Sequence, residues 1–191
     1  MKKSLLLAAV LLLVSVATQA QHKMWVSGSA GMTNSSNDVE GSEPYNTAIF
    51  APAFGYNLNA NWTIGLALNY STYKSDDDNK GNEFNLNPFV RYSKTVSDKV
   101  VLYGEGDVMF GSKNETVGGV DNDGIGTFGI GIAPGIQYLF SDRWSMNADI
   151  GVLSYESEND KDLEVTTNDI NFGLDFTKLR LGLNYHFGGS K

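Results

Sequence analysis

The sequence predicts an all-β chain: an eight-stranded, antiparallel, up-and-down β-barrel that spans a membrane. Three observations predict it. Large apolar and small polar residues alternate with period two in eight segments. Short and long polar connections follow one another in strict alternation between those segments. Aromatic residues recur beside the short connections, as they would at one membrane boundary.

Residues 1–20 precede the barrel and read as a secretory signal peptide. Lys2 and Lys3 form a basic start, and Leu5 to Ala17 is an apolar run broken only by Ser15. Thr18 and Ala20 then supply small residues for cleavage. The run is too short to span a bilayer as a helix. The barrel domain is expected over residues 21–191. That part has no apolar run long enough for a membrane helix and no cysteine, so a disulfide framework and a thiolate metal site are excluded. The chain carries a net charge of −8, with 14 basic and 22 acidic residues. Removal of Lys2 and Lys3 makes the balance more acidic still, which argues against nucleic acid as a partner. The 21 glycines and 4 prolines disfavour helices and suit twisted strands with close backbone contacts.

The alternation is clearest from Trp62. Trp62, Ile64, Leu66, Leu68 and Tyr70 point one way; Thr63, Gly65, Ala67, Asn69 and Ser71 point the other. The last strand repeats it, with Leu179, Leu181, Leu183, Tyr185 and Phe187 opposite Lys178, Arg180, Gly182, Asn184 and His186. Comparable stripes run through Met24–Met32, Ala48–Tyr56, Phe84–Tyr92, Val100–Phe110, Phe128–Tyr138 and Trp144–Val152. The face holding Gly55, Gly129, Gly131 and Gly135 suits the narrow lumen of eight strands, so the large apolar face meets lipid. About ten residues at roughly 3.3 Å each, tilted about 40°, cross a hydrocarbon band near 25 Å.

Connections at 57–61, 97–99 and 141–143 read as tight turns; those at 33–46, 75–82, 112–123 and 156–169 read as long polar loops. That order places the long loops outside the cell. Tyr56, Trp62, Tyr92, Tyr138, Phe140, Trp144, Tyr185 and Phe187 are the expected interfacial girdle. Pro52-Ala-Phe-Gly-Tyr56, Pro88-Phe-Val-Arg-Tyr92 and Pro134-Gly-Ile-Gln-Tyr138 form an internal repeat, and a shared bulge is the expected reason for proline in mid-strand.

These features resemble the small outer-membrane barrels, the group containing OmpX, OmpW and the transmembrane domain of OmpA. More closely they resemble the outer membrane protein beta-barrel domain, or porin-like, family. The residues that carry the resemblance are the Ala20-Gln21 start, the Pro-x-apolar-x-Tyr strands and the terminal Leu181-Gly-Leu-Asn-Tyr-His-Phe187. Such proteins usually end on an aromatic residue that the assembly machinery reads, whereas here Phe187 is followed by Gly188-Gly189-Ser190-Lys191. The resemblance implies an outer-membrane location, with membrane lipid, lipopolysaccharide and the assembly machinery as partners, and a monomeric state.

Charges on the inward stripe are the candidate lumen network: Arg91, Glu105, Asp107, Asp149, Lys178 and Arg180. In a lumen barely wider than side chains, such charges must pair. The expectation is a structural or surface-interaction barrel with a filled lumen; the alternatives are a narrow channel, a lateral route for small apolar solutes, and a soluble exported β-protein. Only His22 and His186 are present, at opposite ends of the mature chain, so no nucleophilic triad and no enzyme is expected. Asp76-x-Asp78-x-Lys80-Gly81 echoes a calcium loop, but Lys80 takes a ligand position and no Glu stands at the twelfth place. No cofactor and no metal are therefore expected.

Overall fold

A computed structural model describes residues 24–35, 45–75, 79–149, 153–160, 164–173 and 179–187. The expected signal peptide, His22, Lys178 and the 188–191 tail lie outside the described residues. Every element is a strand: β1 (Met24–Ser35), β2 (Tyr45–Asn57), β3 (Trp62–Ser75), β4 (Lys80–Ser97), β5 (Val100–Val117), β6 (Val120–Leu139), β7 (Trp144–Asp149), β8 (Leu153–Asp160), β9 (Val165–Phe172) and β10 (Arg180–Phe187).

Eight of them close a ring in the order β1-β2-β3-β4-β5-β6-β7-β10, sealed where β10 pairs with β1. All neighbours are antiparallel, and the seam pairs Met24–Ser29 with Gly182–Phe187, which leaves no free strand edge at that level. β8 and β9 lie outside the ring, with β8 paired to the upper part of β6 and β9 paired to β8. Cross-strand partners can be followed once round: Leu139, Ser145, Asn184, Ser27, Ala53, Ala67, Asn87, then Met109, which the flanking pairs Leu86↔Phe110 and Phe89↔Asp107 set opposite Asn87, and its partner Gly129. The path returns to β6 ten residues from its start. A stagger of that size on eight strands implies a tilt of roughly 40° and a lumen that side chains fill.

The two faces differ as two solvents require. Ile64, Leu66, Leu68, Leu86, Val90, Ile130, Ile132, Leu181 and Leu183 are exposed on the outside, while Thr63, Asn85, Asn87, Phe89, Arg91 and Asn184 are buried inside. In water, a continuous apolar band of this extent would be an aggregation surface; against lipid it is the stable arrangement.

The inward glycines have a spatial reason. Gly55 faces Trp25, Gly65 faces Phe89, Gly135 faces Tyr103, Gly111 faces Asn85, Gly131 faces Asp107 and Gly182 faces Asn147. In each pair the large side chain lies where a Cβ on the glycine would stand. Every such pair is one bulky group and one gap, so the side chain of one strand takes up the space its neighbour leaves. Gly135→Ala is therefore expected to cost about 1–3 kcal/mol by overpacking against the Tyr103 ring. Gly104→Ala, on the outer face with open space around it, serves as the control. Urea unfolding in lipid vesicles measures both, and equal stability of the two variants would reject the packing account.

Two sequence expectations need correction. The stretch 112–123 is mostly ladder: β5 runs to Val117, Gly118 and Gly119 make a two-residue turn with positive φ of 59° and 80°, and β6 starts at Val120. Likewise Leu153–Asp160 and Val165–Phe172 form a hairpin that takes in the whole of the expected 156–169 loop and extends past both its ends, and only 76–79 separates β3 from β4. The 112–123 stretch is mostly polar because it extends beyond the apolar band, while its backbone groups remain satisfied by cross-strand pairing.

The prolines are the second correction. Register is unbroken past Pro52, from Phe50↔Tyr70 to Ala53↔Ala67, and past Pro88, from Leu86↔Phe110 to Phe89↔Asp107. Neither proline sits at a bulge; each simply lacks a partner on the side of the next strand. Only at Pro134 does the count change: Ile132 to Gly135 on β6 faces Leu153 to Asp149, three steps against four.

Candidate functional site

The lumen is the one place where charge, burial and convergent geometry meet among the described residues. Its centre is Arg91, which the period-two alternation of β4 turns inward. Arg91 is 7% exposed. Its Nη2 lies 2.6 Å from Glu105 Oε2 and its Nε donates to the same oxygen at 2.8 Å. Arg91 and Glu105 are direct cross-strand partners on β4 and β5. Three aromatic rings surround the guanidinium: Tyr103 at 4.1 Å, Trp25 at 4.9 Å and Phe89 at 5.6 Å to the ring centroids. Trp25 and Phe89 stack on each other at 5.9 Å. The delocalised cation is held by one carboxylate and by π faces that bear partial negative charge.

The network continues upward. The Tyr103 hydroxyl donates to Asp149 Oδ2 at 3.1 Å, and Asn147 Nδ2 donates to the same oxygen at 3.1 Å. Arg180 Nε donates to Asp149 Oδ1 at 2.7 Å. Asp107 takes no ion pair among the described residues; it accepts from Asn87 Nδ2 at 3.0 Å, and Asn87 in turn accepts from Asn69 at 2.8 Å. Thus Arg91, Glu105, Asp149 and Arg180 come together in one chain of contacts through Tyr103, while Asp107 heads a separate amide ladder. Higher still, Lys113 lies 3.1 Å from Glu115 and 3.5 Å from Glu158, and the Tyr73 hydroxyl donates to Glu115 at 3.0 Å.

Below Arg91, a third cluster centres on the fully buried Ser145. Its Oγ accepts from Gln137 Nε2 at 2.6 Å and from Asn184 Nδ2 at 3.0 Å, and stands 2.8 Å from His186 Nε2. With both acceptor sites of the hydroxyl taken, its proton goes to His186 Nε2.

Sequence reasoning missed the aromatic cage of Trp25, Phe89 and Tyr103, because it judged the inward stripe by its small residues. The usable signal was the glycine facing each ring. It also missed a second outer belt. Trp62–Tyr92, Trp144–Tyr185 and Tyr185–Phe187 pack edge to face at 5.0, 4.9 and 5.1 Å around the short-turn end, where Tyr56, Tyr138 and Phe140 also lie. At the other end Phe50, Tyr70, Phe84, Phe110 and Phe128 are exposed on the same outer face, with Phe110 and Phe128 packed at 5.5 Å. Trp62 to Tyr70 and Tyr92 to Phe84 each span eight residues, or about 20 Å of membrane depth at roughly 40° tilt. No group of residues suited to hold a metal ion occurs among the described residues.

Comparison with known proteins agrees with this architecture. Among solved structures, Neisserial surface protein A aligns with a TM-score of 0.50 at 14% identity, covering 87% of this chain and 96% of that one. The N-terminal β-barrel domain of Pseudomonas aeruginosa OprF has a TM-score of 0.50 at 14% identity, covering 88% and 100%. Outer membrane protein W of E. coli gives the same TM-score, identity and coverages. At these identities the likeness is one of fold. Among curated proteins none matches the chain. The family model described as outer membrane protein beta-barrel domain matches residues 5–187. The chain belongs to the outer membrane β-barrel domain family, and its place is the bacterial outer membrane.

Proposed function

We propose that this protein is exported with residues 1–20 as a cleaved signal peptide, is inserted by the outer-membrane assembly machinery, and works as a monomeric structural or surface-interaction barrel without catalytic activity. Lipid and lipopolysaccharide surround it, and its lumen is closed. The observation that carries this reading is the Arg91 layer. A guanidinium paired to Glu105 and enclosed by Trp25, Phe89 and Tyr103 fills the width that eight strands leave. Purified protein in planar bilayers is expected to give no steady conductance. A large, steady conductance before any mutation would replace this reading with the narrow channel.

In the proposed topology the long polar strand extensions stand outside the cell and the short turns face the periplasm. Protease added to intact cells is expected to cut the connections at 76–79 and 161–164 and to spare Asp98–Lys99. Cleavage confined to the short turns would invert the orientation.

A further inference from the structure

At the short-turn end the lumen opens into a cavity of about 400 Å³ below the Arg91 layer. Its lining is Trp25, Asn57, Asn59, Ala60, Thr63, Arg91, Ser93, Thr95, Val101, Gln137 and His186. In a chain with 22 acidic residues against 14 basic ones, no carboxylate is among them. We propose that this vestibule is a binding site for a small oxyanion, a carboxylate- or phosphate-bearing molecule entering from the periplasmic side.

The hydrogen-bond accounting carries the argument. Asn57 Oδ1 is occupied by the Thr63 hydroxyl at 2.7 Å. Asn59 Oδ1 accepts from the backbone N–H groups of Asn61 and Trp62, both at 2.9 Å. Both amide oxygens are consumed by the protein, so the two amide NH₂ groups are the ends left over as donors. His186 Nε2 is bound to the Ser145 hydroxyl, which puts the proton of the neutral ring on Nδ1. Arg91 commits Nε and Nη2 to Glu105, leaving Nη1 without a partner among the described residues. The lining therefore holds the two amide NH₂ groups, the His186 Nδ1–H and the free Nη1 of a guanidinium whose charge Glu105 already matches, beside the Gln137 carbonyl and the Ser93 and Thr95 hydroxyls, which can turn to donate. Convergent donors with no carboxylate in the lining suit an oxyanion better than a cation. The Trp25 ring adds an apolar wall, and the volume lies within the range of small-molecule sites. Conductance is no part of this inference, so the site stands or falls separately from the closed-lumen reading. Only the side of entry rests on the proposed topology.

The test uses the full mature chain in dodecyl maltoside, a phosphate-free detergent. Trp62→Phe and Trp144→Phe leave Trp25 as the single tryptophan. Its fluorescence is titrated with inorganic phosphate and, separately, with acetate, with ionic strength held by sodium chloride. The expected result is saturable binding of at least one of them with a Kd of about 1 mM or tighter. Asn57→Asp and Asn59→Asp keep the acceptor oxygens that hold the turn and replace each donor by a negative charge. Each should weaken binding about tenfold or more, with folding checked by heat-modifiable gel mobility. Asn82→Asp, on an exposed position of β4 away from the cavity, adds the same charge and should leave affinity unchanged. Absence of saturation, or equal weakening by all three variants, would overturn the site. Repeating the titration in phosphatidylglycerol nanodiscs distinguishes the source: unchanged affinity assigns a soluble anion, and a site already saturated by the lipid assigns a headgroup phosphate.

Discussion

Glu105→Ala is expected to destabilise the barrel by about 3–5 kcal/mol, because it strands Arg91 as an unpaired charge in a buried site. The cost comes less from the lost attraction than from the survivor. Arg91 is 7% exposed and held among three rings, so its guanidinium can meet water only at the mouth of the vestibule below it. Glu105→Gln retains an acceptor for Nε and should fall between wild type and alanine. Asp98→Ala, in an exposed turn, should stay within about 0.5 kcal/mol of wild type. Urea unfolding in lipid vesicles, followed by tryptophan fluorescence, measures all three. If Glu105→Ala and Asp98→Ala cost the same, the ion pair contributes nothing and the lumen is wetter than its geometry implies. Glu105→Ala should also be the variant most prone to leak in planar bilayers.

Leu66→Arg is the second large effect, about 2–4 kcal/mol, since Leu66 is exposed on the outer face midway between the two aromatic belts. A guanidinium there must either drag water into the hydrocarbon or reach a headgroup from mid-depth. Ala67→Ser, one residue on and facing the lumen, should be mild, because hydroxyls and amides already line that side. The same vesicle assay reads both. Equal tolerance at the two positions would mean that the wall of β3 does not separate lipid from lumen.

Much of the fold was legible because each strand carries two solvents in its sequence. Leu66 beside Ala67, or Leu183 beside Asn184, needs no structure to be placed on opposite faces. Polarity misled where a strand leaves the membrane. Ser112–Asp123 looks like a loop because, apart from Val117 and Val120, its side chains are polar or glycine, yet a ladder in water needs no apolar side chains. Pro52 and Pro88 misled in the other direction: a missing donor suggested a bulge, whereas the register tolerates one lost bond. Arg91, Glu105, Asp149 and Arg180 were found by parity alone. Trp25, Phe89 and Tyr103 were not, since parity assigns a face without saying whether a large residue on it has room. That information lies in the neighbouring strand, in Gly55, Gly65 and Gly135.

Those pairs also constrain how the sequence can change over generations. Tyr103 and Gly135 are 32 positions apart yet share one volume. A side chain cannot grow at 135 while the ring stands, so the first tolerated step must be loss of bulk at 103, which leaves a void and only then admits a larger residue opposite. The same one-way order applies to Trp25 with Gly55 and Phe89 with Gly65. Among homologues, size at these positions should be exchanged between partners, with the sum held nearly constant while the individual residues drift.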